Sequence, residues 1–592
     1  MSNDPRTPMK GSQIAIQCLE RLGVEVVFAY PGGTAIELHQ ALIGSSIRVV
    51  LPRHEQGGAF AANGYARATG KVGVAMATSG PGATNLLTGI ADAYMDSVPT
   101  VFITGQVAST AIGKNVFQET DIIGMTRPIV KHSYLVLDAR DLPRIMKEAF
   151  YLAGSGRPGP VIVDIPKNVQ QQHIKADFDA PLAIQSYNPD PKPSADEITA
   201  IRAMIDNCSR PCLYIGGGII AAGASEELRK FAESYHIPVT ATMMGLGAIP
   251  VNHPLSLHWP GMHGTVYANN AINECDLLLA FGARFDDRVT GNPAQFAVDA
   301  KIIHVDIDPS EINKNKPATL GVVANIKDVL VELNREPIRK EYKDWFAQIE
   351  TWKKAHPLSY RKRTDRIQPQ QVVEMLGQMT EGEAIIVPGV GQHQMWATQF
   401  YPYQYPRQLL SSGGLGAMGF GLPAAMGAKV ARPDKTVINI DGDGSFQMNI
   451  QELGTLAVER IPVKMMIFDN QHLGMVAQWE DRFYGGNRGN TILGSPKDAG
   501  YYPDFVTIAK GYGVPGRTVR TPEELPDAVR AMLAADGPFL LDVHIGYHEH
   551  VLPMIPPGKT YKDIITDEWE QKALCPQCNL PEPCCTPGEE RR

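Results

Sequence analysis

The sequence predicts an α/β protein made of three doubly wound, parallel-sheet domains. Short β-branched runs alternate with amphipathic helical segments along most of the chain. Several of these runs end in glycine-rich turns that open a helix, as at Gly32-Gly33, Gly80-Pro81-Gly82 and Gly216-Gly217-Gly218. The chain has 592 residues, more than a single core of roughly 250–300 residues can organise.

In order, residues 1–187 form the first domain. A helix is expected over 12–22 and strands over 24–29 and 47–51, the latter ending at Pro52-Arg53-His54-Glu55. A helix through Ala66, a strand over 73–78 and a last strand over 161–165 follow. Three prolines in 188–194 mark a linker. The second domain spans 195–345, with strands over 212–215, 239–242, 277–281 and 302–307. The charged stretch 340–366 is expected to be a solvated helix and linker. The third domain spans 368–550 and begins with a strand over 384–388; residues 551–592 form a C-terminal segment.

Composition narrows the function classes. Hydrophobic residues at 44% and charged residues at 20% are ordinary for a globular chain. A net charge of −8 leaves no basic footprint for nucleic acid, and no run approaches the ~18 apolar residues of a membrane span. The polar start MSNDPRTPMKGSQ reads as neither signal nor transit peptide, so a cytoplasmic protein is expected. Cys18, Cys208, Cys212 and Cys275 lie in or beside apolar segments and are expected to be buried and reduced. Cys575, Cys578, Cys584 and Cys585 sit in a Pro-rich tail. A four-thiolate zinc site fits that count, but the adjacent pair and short segment favour a disordered tail with reactive thiols.

The chemistry concentrates between 437 and 479. A strand over 437–440 stops at Asp441-Gly442-Asp443-Gly444, a helix is expected over 448–459, and a second strand over 463–468. Asp443 therefore stands where a sheet's carboxyl edge meets a helix start, a place where anions collect. A bare carboxylate there would repel a phosphate. A Mg²⁺ ion resolves the conflict, because it takes one or two protein oxygens and the rest from phosphate and water. Asn470, at the end of the next strand, offers a second oxygen.

This pattern resembles the thiamine-diphosphate signature, Gly-Asp-Gly followed some two dozen residues later by Asn-Asn, with Asp469 here in place of the first Asn. The surrounding segments FAYPGGTAIELHQAL, PRHEQGGAFAANGYAR, ATSGPGATNL, GARFDDRVTG, SSGGLGAMGFGLPAA and QHLGMVAQWEDRFY are similar to the catalytic large subunit of the acetolactate (acetohydroxyacid) synthase family. The likeness runs from about residue 12 to 565. It implies outer domains that bind opposite halves of thiamine diphosphate and a central FAD domain. It also implies a reaction in which pyruvate loses CO₂ and the hydroxyethyl unit joins a second 2-keto acid, at the head of branched-chain amino-acid synthesis.

The resemblance assigns roles by position. Asp443, Asn470 and the His472 carbonyl would hold Mg²⁺. Glu55 would be the carboxyl that sets the cofactor's tautomer through ring nitrogen N1′, and the small residues after it, Gly57, Gly58 and Ala59, are expected to let a ring approach. Val390, Gly391, Gln392, His393, Gly416, Met418, Gly442, Gly444, Ser445 and Met475 would line the thiamine diphosphate site, with Met418 propping the cofactor into its bent shape. Gln118 and Gly33 fall near the reacting centre, and Trp479 and Arg288 at the second keto acid. For FAD the matching positions are Arg157, Gly216, Gly217, Gly218, Thr242, Met243, Gly261, Met262, His263, Gly282, Arg284, Asp287 and Asp306. A homodimer or homotetramer with its active site between subunits is implied. A small regulatory subunit occurs in relatives.

Thr34, Ala108-Ser109 and Pro557 depart from the family pattern at a channel that sulfonylurea and imidazolinone herbicides occupy in plant and yeast relatives, so tolerance is expected. The run Gly414-Leu415-Gly416-Ala417-Met418-Gly419 also satisfies the dinucleotide pattern G-x-G-x-x-G, with Asp434 and Asp441 as available acids. The metal motif that follows speaks against that alternative. A silent cofactor-binding scaffold is opposed by the presence of Glu55, Asp443, Asn470 and Trp479. Flavin-free catabolic acetolactate synthase, pyruvate oxidase and glyoxylate carboligase are the rivals within the family. Gln118, Trp479 and the flavin-like middle domain favour the biosynthetic enzyme.

Overall fold

The computed structural model describes residues 8–494 and 501–566; the cysteine tail lies outside them. Its strands fall into three parallel sheets and one short antiparallel pair. Strands β1 (Met9–Lys10) and β8 (His173–Ile174) make the antiparallel pair, which ties the start of the first domain to its end. The first sheet contains β2 (Val26–Ala29), β3 (Arg48–Val50), β4 (Gly73–Ala77), β5 (Thr100–Gln106), β6 (His132–Leu135) and β7 (Pro160–Pro166), in the order β3-β2-β4-β5-β7-β6.

The central sheet runs β10-β9-β11-β12-β13, built from β9 (Pro211–Ile215), β10 (Val239–Ala241), β11 (Leu277–Phe281), β12 (Lys301–Asp306) and β13 (Leu320–Val323). The third runs β14-β15-β16-β18-β17, from β14 (Ile385–Pro388), β15 (Val437–Gly442), β16 (Lys464–Asp469), β17 (Gly516–Val519) and β18 (Phe539–His544). β4, β5, β7, β9, β11, β14, β15 and β16 are buried along their whole length. That is why they read as continuous apolar runs, covered by helices on both faces.

The first and third domains share one hydrophobic core. At its centre the helix Glu55–Thr69 crosses the helix Gly421–Ala431. A Cβ at Gly64 would strike the Ala424 carbonyl, and one at Gly427 would strike the Ala61 carbonyl, so glycine lets the two backbones touch. Phe60 and Phe420 pack edge to face at 5.4 Å beside the crossing. The central and third domains share a second core.

Several sequence expectations need correction. β5, β6, β13, β17, β18 and the short pair β1 and β8 were not foreseen; β5 lies between β4 and β7, and β18 between β16 and β17, inside their sheets. The helix expected over 448–459 spans only Glu452–Val458, and a separate short helix, Asp443–Gln447, precedes it. The break falls where Asn449 turns its amide to the Gly419 carbonyl (2.8 Å) and to Gln56 (3.1 Å). The charged stretch contains the helix Lys343–Ala355, which is not merely solvated. It buries Trp345 and Ile349, and the Trp345 indole donates to the Pro211 carbonyl at 2.9 Å. Cys18, Cys208, Cys212 and Cys275 are buried and unpaired, and burial raises all four thiols above their usual range.

Candidate active site

A cavity of about 640 Å³ lies where the carboxyl ends of β14, β15 and β16 face those of β9 and β11. β9 and β11 flank the point at which strand order reverses in the central sheet, the usual place for a ligand crevice. Every residue assigned above to Mg²⁺ and to thiamine diphosphate lines this one cavity, as do Trp479 and Arg288. Among the FAD positions, Gly216, Gly217, Thr242, Met243, Met262, His263, Gly282, Arg284 and Asp287 line it too.

Asp443 is the first residue of the helix Asp443–Gln447 and is 2% exposed. Burial, with the Asp469 carboxylate nearby, pushes its carboxyl up to about 7. Tyr502 donates to Asp443 Oδ2 at 2.5 Å. The Asn470 side-chain oxygen accepts from the His472 amide (2.9 Å), and the His472 ring stacks on Tyr547 at 4.5 Å, which fixes the turn that carries the His472 carbonyl. A carboxylate, an amide oxygen and a backbone carbonyl form a hard oxygen set suited to Mg²⁺.

The cavity also holds polar atoms without partners. Gln392 Oε1 is buried and makes no hydrogen bond among the described residues, although its amide nitrogen is held by Gln478 (3.0 Å) and the Glu549 carbonyl (2.9 Å). His393 Nε2 lies 3.4 Å from Asp441 Oδ1 without an aligned hydrogen bond. A buried acceptor left unmade costs about 1–3 kcal/mol, so a ligand with matching donors fits here. Gly416, at φ 67°, turns bare backbone toward the cavity, where an added Cβ would meet only Val390 at 3.9 Å.

A network that the sequence reading missed holds this loop. Asp96 accepts from the Gly413 amide (2.9 Å) and the Gly414 amide (2.7 Å), Asp92 accepts from Ser412 Oγ (2.5 Å), and Arg67 pairs with Asp92 (3.0 Å) and Asp96 (2.9 Å). Because Asp96 occupies two amides at the start of the Gly414–Gly419 run, these are not free to cradle a pyrophosphate. The only sequence signal was an arginine inside an otherwise apolar helix face.

Glu55, Gln118 and Gly33 lie elsewhere, at the carboxyl edge of the first sheet. Glu55 opens its helix and accepts from Asn85 at 2.9 Å. A Cβ at Gly82 would come 3.2 Å from Glu55 Oε1, and one at Gly80 would come 2.9 Å from the Gln118 carbonyl. The turn Ser79–Gly82 thus gathers Glu55 and Gln118. Gly33 has open space where a side chain would be. None of the three lines the large cavity. Phe117, 87% exposed, stands beside Gln118 with Val116 and Met125 also exposed.

Other placements depart from the sequence reading. Gly57 and Gly58 were expected to make room for a cofactor ring; a Cβ at Gly57 would instead collide with Glu452 Oε1, and one at Gly58 would press on Pro52 at 3.0 Å. Arg157 is tied to Asp308 (3.0 Å) and Glu311 (2.6 Å) outside the cavity. Gly218 and Gly282 pack backbone to backbone, and a Cβ at Gly261 would meet the Arg288 carbonyl at 2.5 Å. Asp306 is buried, its carboxyl raised to about 6, and accepts from the Asp308 amide (2.9 Å). Arg288 reaches Asp287 only at 3.9 Å, and burial lowers His263 to about 4, leaving it a neutral wall.

Comparison with known proteins places this geometry. Family models described as the N-terminal TPP binding, central and C-terminal TPP binding domains of thiamine pyrophosphate enzymes match residues 9–125, 198–333 and 389–543. Acetolactate synthase 1, chloroplastic, of Zea mays is 54% identical over 573 residues, covering 95% of this chain and 90% of the relative. The chain belongs to the acetolactate synthase family. Acetolactate synthase 3, chloroplastic, of Brassica napus (54% identical, 95% and 88% covered) and acetolactate synthase, chloroplastic, of Arabidopsis thaliana (53% identical, 95% and 85% covered) agree. In this family's terms the outer sheets carry the two thiamine-binding halves. Among the described residues no helix is long and apolar enough to cross a membrane.

Proposed function

We propose that this chain is the catalytic subunit of an acetolactate synthase. It would decarboxylate pyruvate and join the two-carbon unit to a second 2-keto acid, giving 2-acetolactate from pyruvate or 2-aceto-2-hydroxybutyrate from 2-ketobutyrate. This is the first common step of branched-chain amino-acid biosynthesis. The observation that carries the proposal is the division of the chain into two half-sites. Glu55, Gln118 and Gly33 share the first sheet's edge, while Asp443 and Asn470 line a cavity that none of the three enters. A second copy would bring one chain's Glu55 to the other's cavity, and the exposed Phe117 rim supports that docking. A homodimer or a homotetramer of such dimers is the expected assembly, in the cytoplasm; a small regulatory subunit is a further candidate partner.

When bound, thiamine diphosphate supplies the electron sink that lets a 2-keto acid lose CO₂. The chain's residues do the rest. Asp443, Asn470 and the His472 carbonyl would hold Mg²⁺, and Gln392 lines the same cavity with its Oε1 unpaired. Met418, which lines the cavity, would pack against the cofactor's rings. Glu55 would hold a proton at the pyrimidine N1′ of the bound cofactor. The Gly33 amide would donate to the negative charge developing on the keto acid's oxygen. Arg288 offers a forked donor pair to the acceptor's carboxylate, and Trp479 a flat wall for its alkyl group. The central-sheet crevice at Gly216, Gly217 and Gly282 is assigned to FAD, which the net reaction does not reduce.

The test is acetolactate formation from pyruvate by the purified protein, omitting thiamine diphosphate, Mg²⁺ and FAD in turn. Loss of activity on each omission supports the proposal. Activity indifferent to FAD in flavin-stripped protein would point to the catabolic enzyme, and no activity under any condition to a silent scaffold.

A further inference from the structure

Glu452 begins the helix Glu452–Val458, in the third domain, yet its side chain reaches into the first. Its carboxylate accepts from the Arg53 amide at 3.0 and 3.2 Å and from the His54 amide at 3.1 Å. These are the two backbone donors immediately before Glu55. Thr455 Oγ1 donates to the same carboxylate at 2.7 Å. Glu452 is fully buried, at 0% exposure, and the missing side chain of Gly57 makes the room it occupies. A carboxylate at a helix start is favoured by the free amides and by the helix dipole. Here it comes from another domain rather than from the helix's own cap, His54, which accepts only from the Gln56 amide (3.1 Å).

We propose that Glu452 is a positioning residue that fixes where the Glu55–Thr69 helix begins and thereby aims the Glu55 carboxyl at the cofactor. The inference rests on the assignment of Glu55 to the pyrimidine N1′. Three donors converge on one buried group, so the segment 53–55 has one arrangement that satisfies all of them. Removing the acceptor leaves two half-buried amides without their partner, and the segment must shift to regain one. A shift of about 1 Å at a reacting group costs on the order of 100-fold in rate. Glu452 touches neither the cavity nor its metal ligands, so cofactor affinity is set separately.

The experiment compares Glu452→Met, which has the length but no oxygen acceptor, Thr455→Val and Glu55→Gln with the parent, each as the full chain. Amide hydrogen exchange over residues 53–58 is read on cofactor-free protein, and C2-proton exchange of bound thiamine diphosphate on protein loaded with Mg²⁺ and FAD. Glu452→Met should speed amide exchange at Arg53 and His54 by about tenfold or more. It should slow C2-proton exchange by about 10- to 100-fold, with cofactor affinity within about threefold of the parent. Thr455→Val should move both rates the same way by less, and decides the matter if Glu452→Met does not fold. Parent-like C2-proton exchange in these variants, with Glu55→Gln slowed, would overturn the positioning role. Parent-like exchange in Glu55→Gln would instead overturn the assignment of Glu55, whatever Glu452 does.

Discussion

Replacing Arg67 by Met removes the cation at the centre of the network behind the cavity loop. Arg67 lies 3.0 Å from Asp92 and 2.9 Å from Asp96, and both carboxylates are 0% exposed in their side chains. It also donates to the Ser411 carbonyl at 2.9 Å. Methionine fills similar volume, so the loss is electrostatic rather than a cavity. Breaking a buried pair by removing one partner costs about 3–5 kcal/mol. For a cooperative unit of domain size that lowers the unfolding midpoint by roughly 6–20 °C.

The penalty should also depend on pH, with a definite sign. Burial already raises the Asp92 carboxyl to about 6, with Arg67 holding it down and Asp96 pushing it further up. Without Arg67 the folded-state value rises again. A carboxyl raised on folding binds its proton more tightly in the folded state, so the cost is full above the folded value. It is relieved as pH falls toward the unfolded range, at about 1.4 kcal/mol per pH unit for each proton taken up. The gap between parent and variant should therefore narrow from pH 8.5 to pH 6. Thermal unfolding across that range, at one scan rate, measures it. A midpoint within 2 °C of the parent, or a gap unchanged with pH, would refute the reasoning. Because Asp96 anchors the Gly413 and Gly414 amides, the variant should also bind thiamine diphosphate more weakly, by calorimetry.

Other outcomes follow from the same geometry. Asp443→Ala should weaken Mg²⁺-dependent thiamine diphosphate binding by roughly 100-fold or more, since the cation loses its charged protein ligand; titration calorimetry reads it. Tyr502→Phe removes the hydroxyl that holds Asp443 Oδ2 and should cost about 10-fold in the same titration. Gly427→Val forces a branched side chain against the Ala61 carbonyl and should destabilise the joint first-and-third-domain core by about 1–3 kcal/mol or more, visible as a lowered unfolding midpoint. Sulfonylureas and imidazolinones should leave acetolactate formation near its uninhibited rate, given Thr34, Ala108-Ser109 and Pro557; ordinary inhibition at low concentration would contradict this.

The sequence was most legible where backbone and chemistry coincide. β11 matches its expected bounds, and the Asp443 loop falls at the expected strand end, because buried parallel strands and glycine-rich turns leave strong local signals. β5 carries the same apolar signal but sits between two polar turns and was passed over. β13, four residues with a glycine, is too short to announce itself. The residues hardest to read were those whose partners lie far away in the chain. Glu452 and Arg53 are remote in sequence, as are Asp96 and Gly414, and no periodicity encodes such a pairing. Gly57 was assigned to a ligand when its space belongs to Glu452, since a glycine shows that something approaches but not what.

The most direct test of the divided site is subunit complementation. Glu55→Gln and Asp443→Ala variants, each inactive alone, are mixed, dissociated and reassembled with thiamine diphosphate, Mg²⁺ and FAD, and acetolactate formation is measured. If each active site joins one chain's Glu55 to another's Asp443, half the random dimers carry one intact site of two, and about a quarter of the parent activity returns. No recovery from variants shown to exchange subunits would mean that both residues act within one chain, and the account of the site would fail.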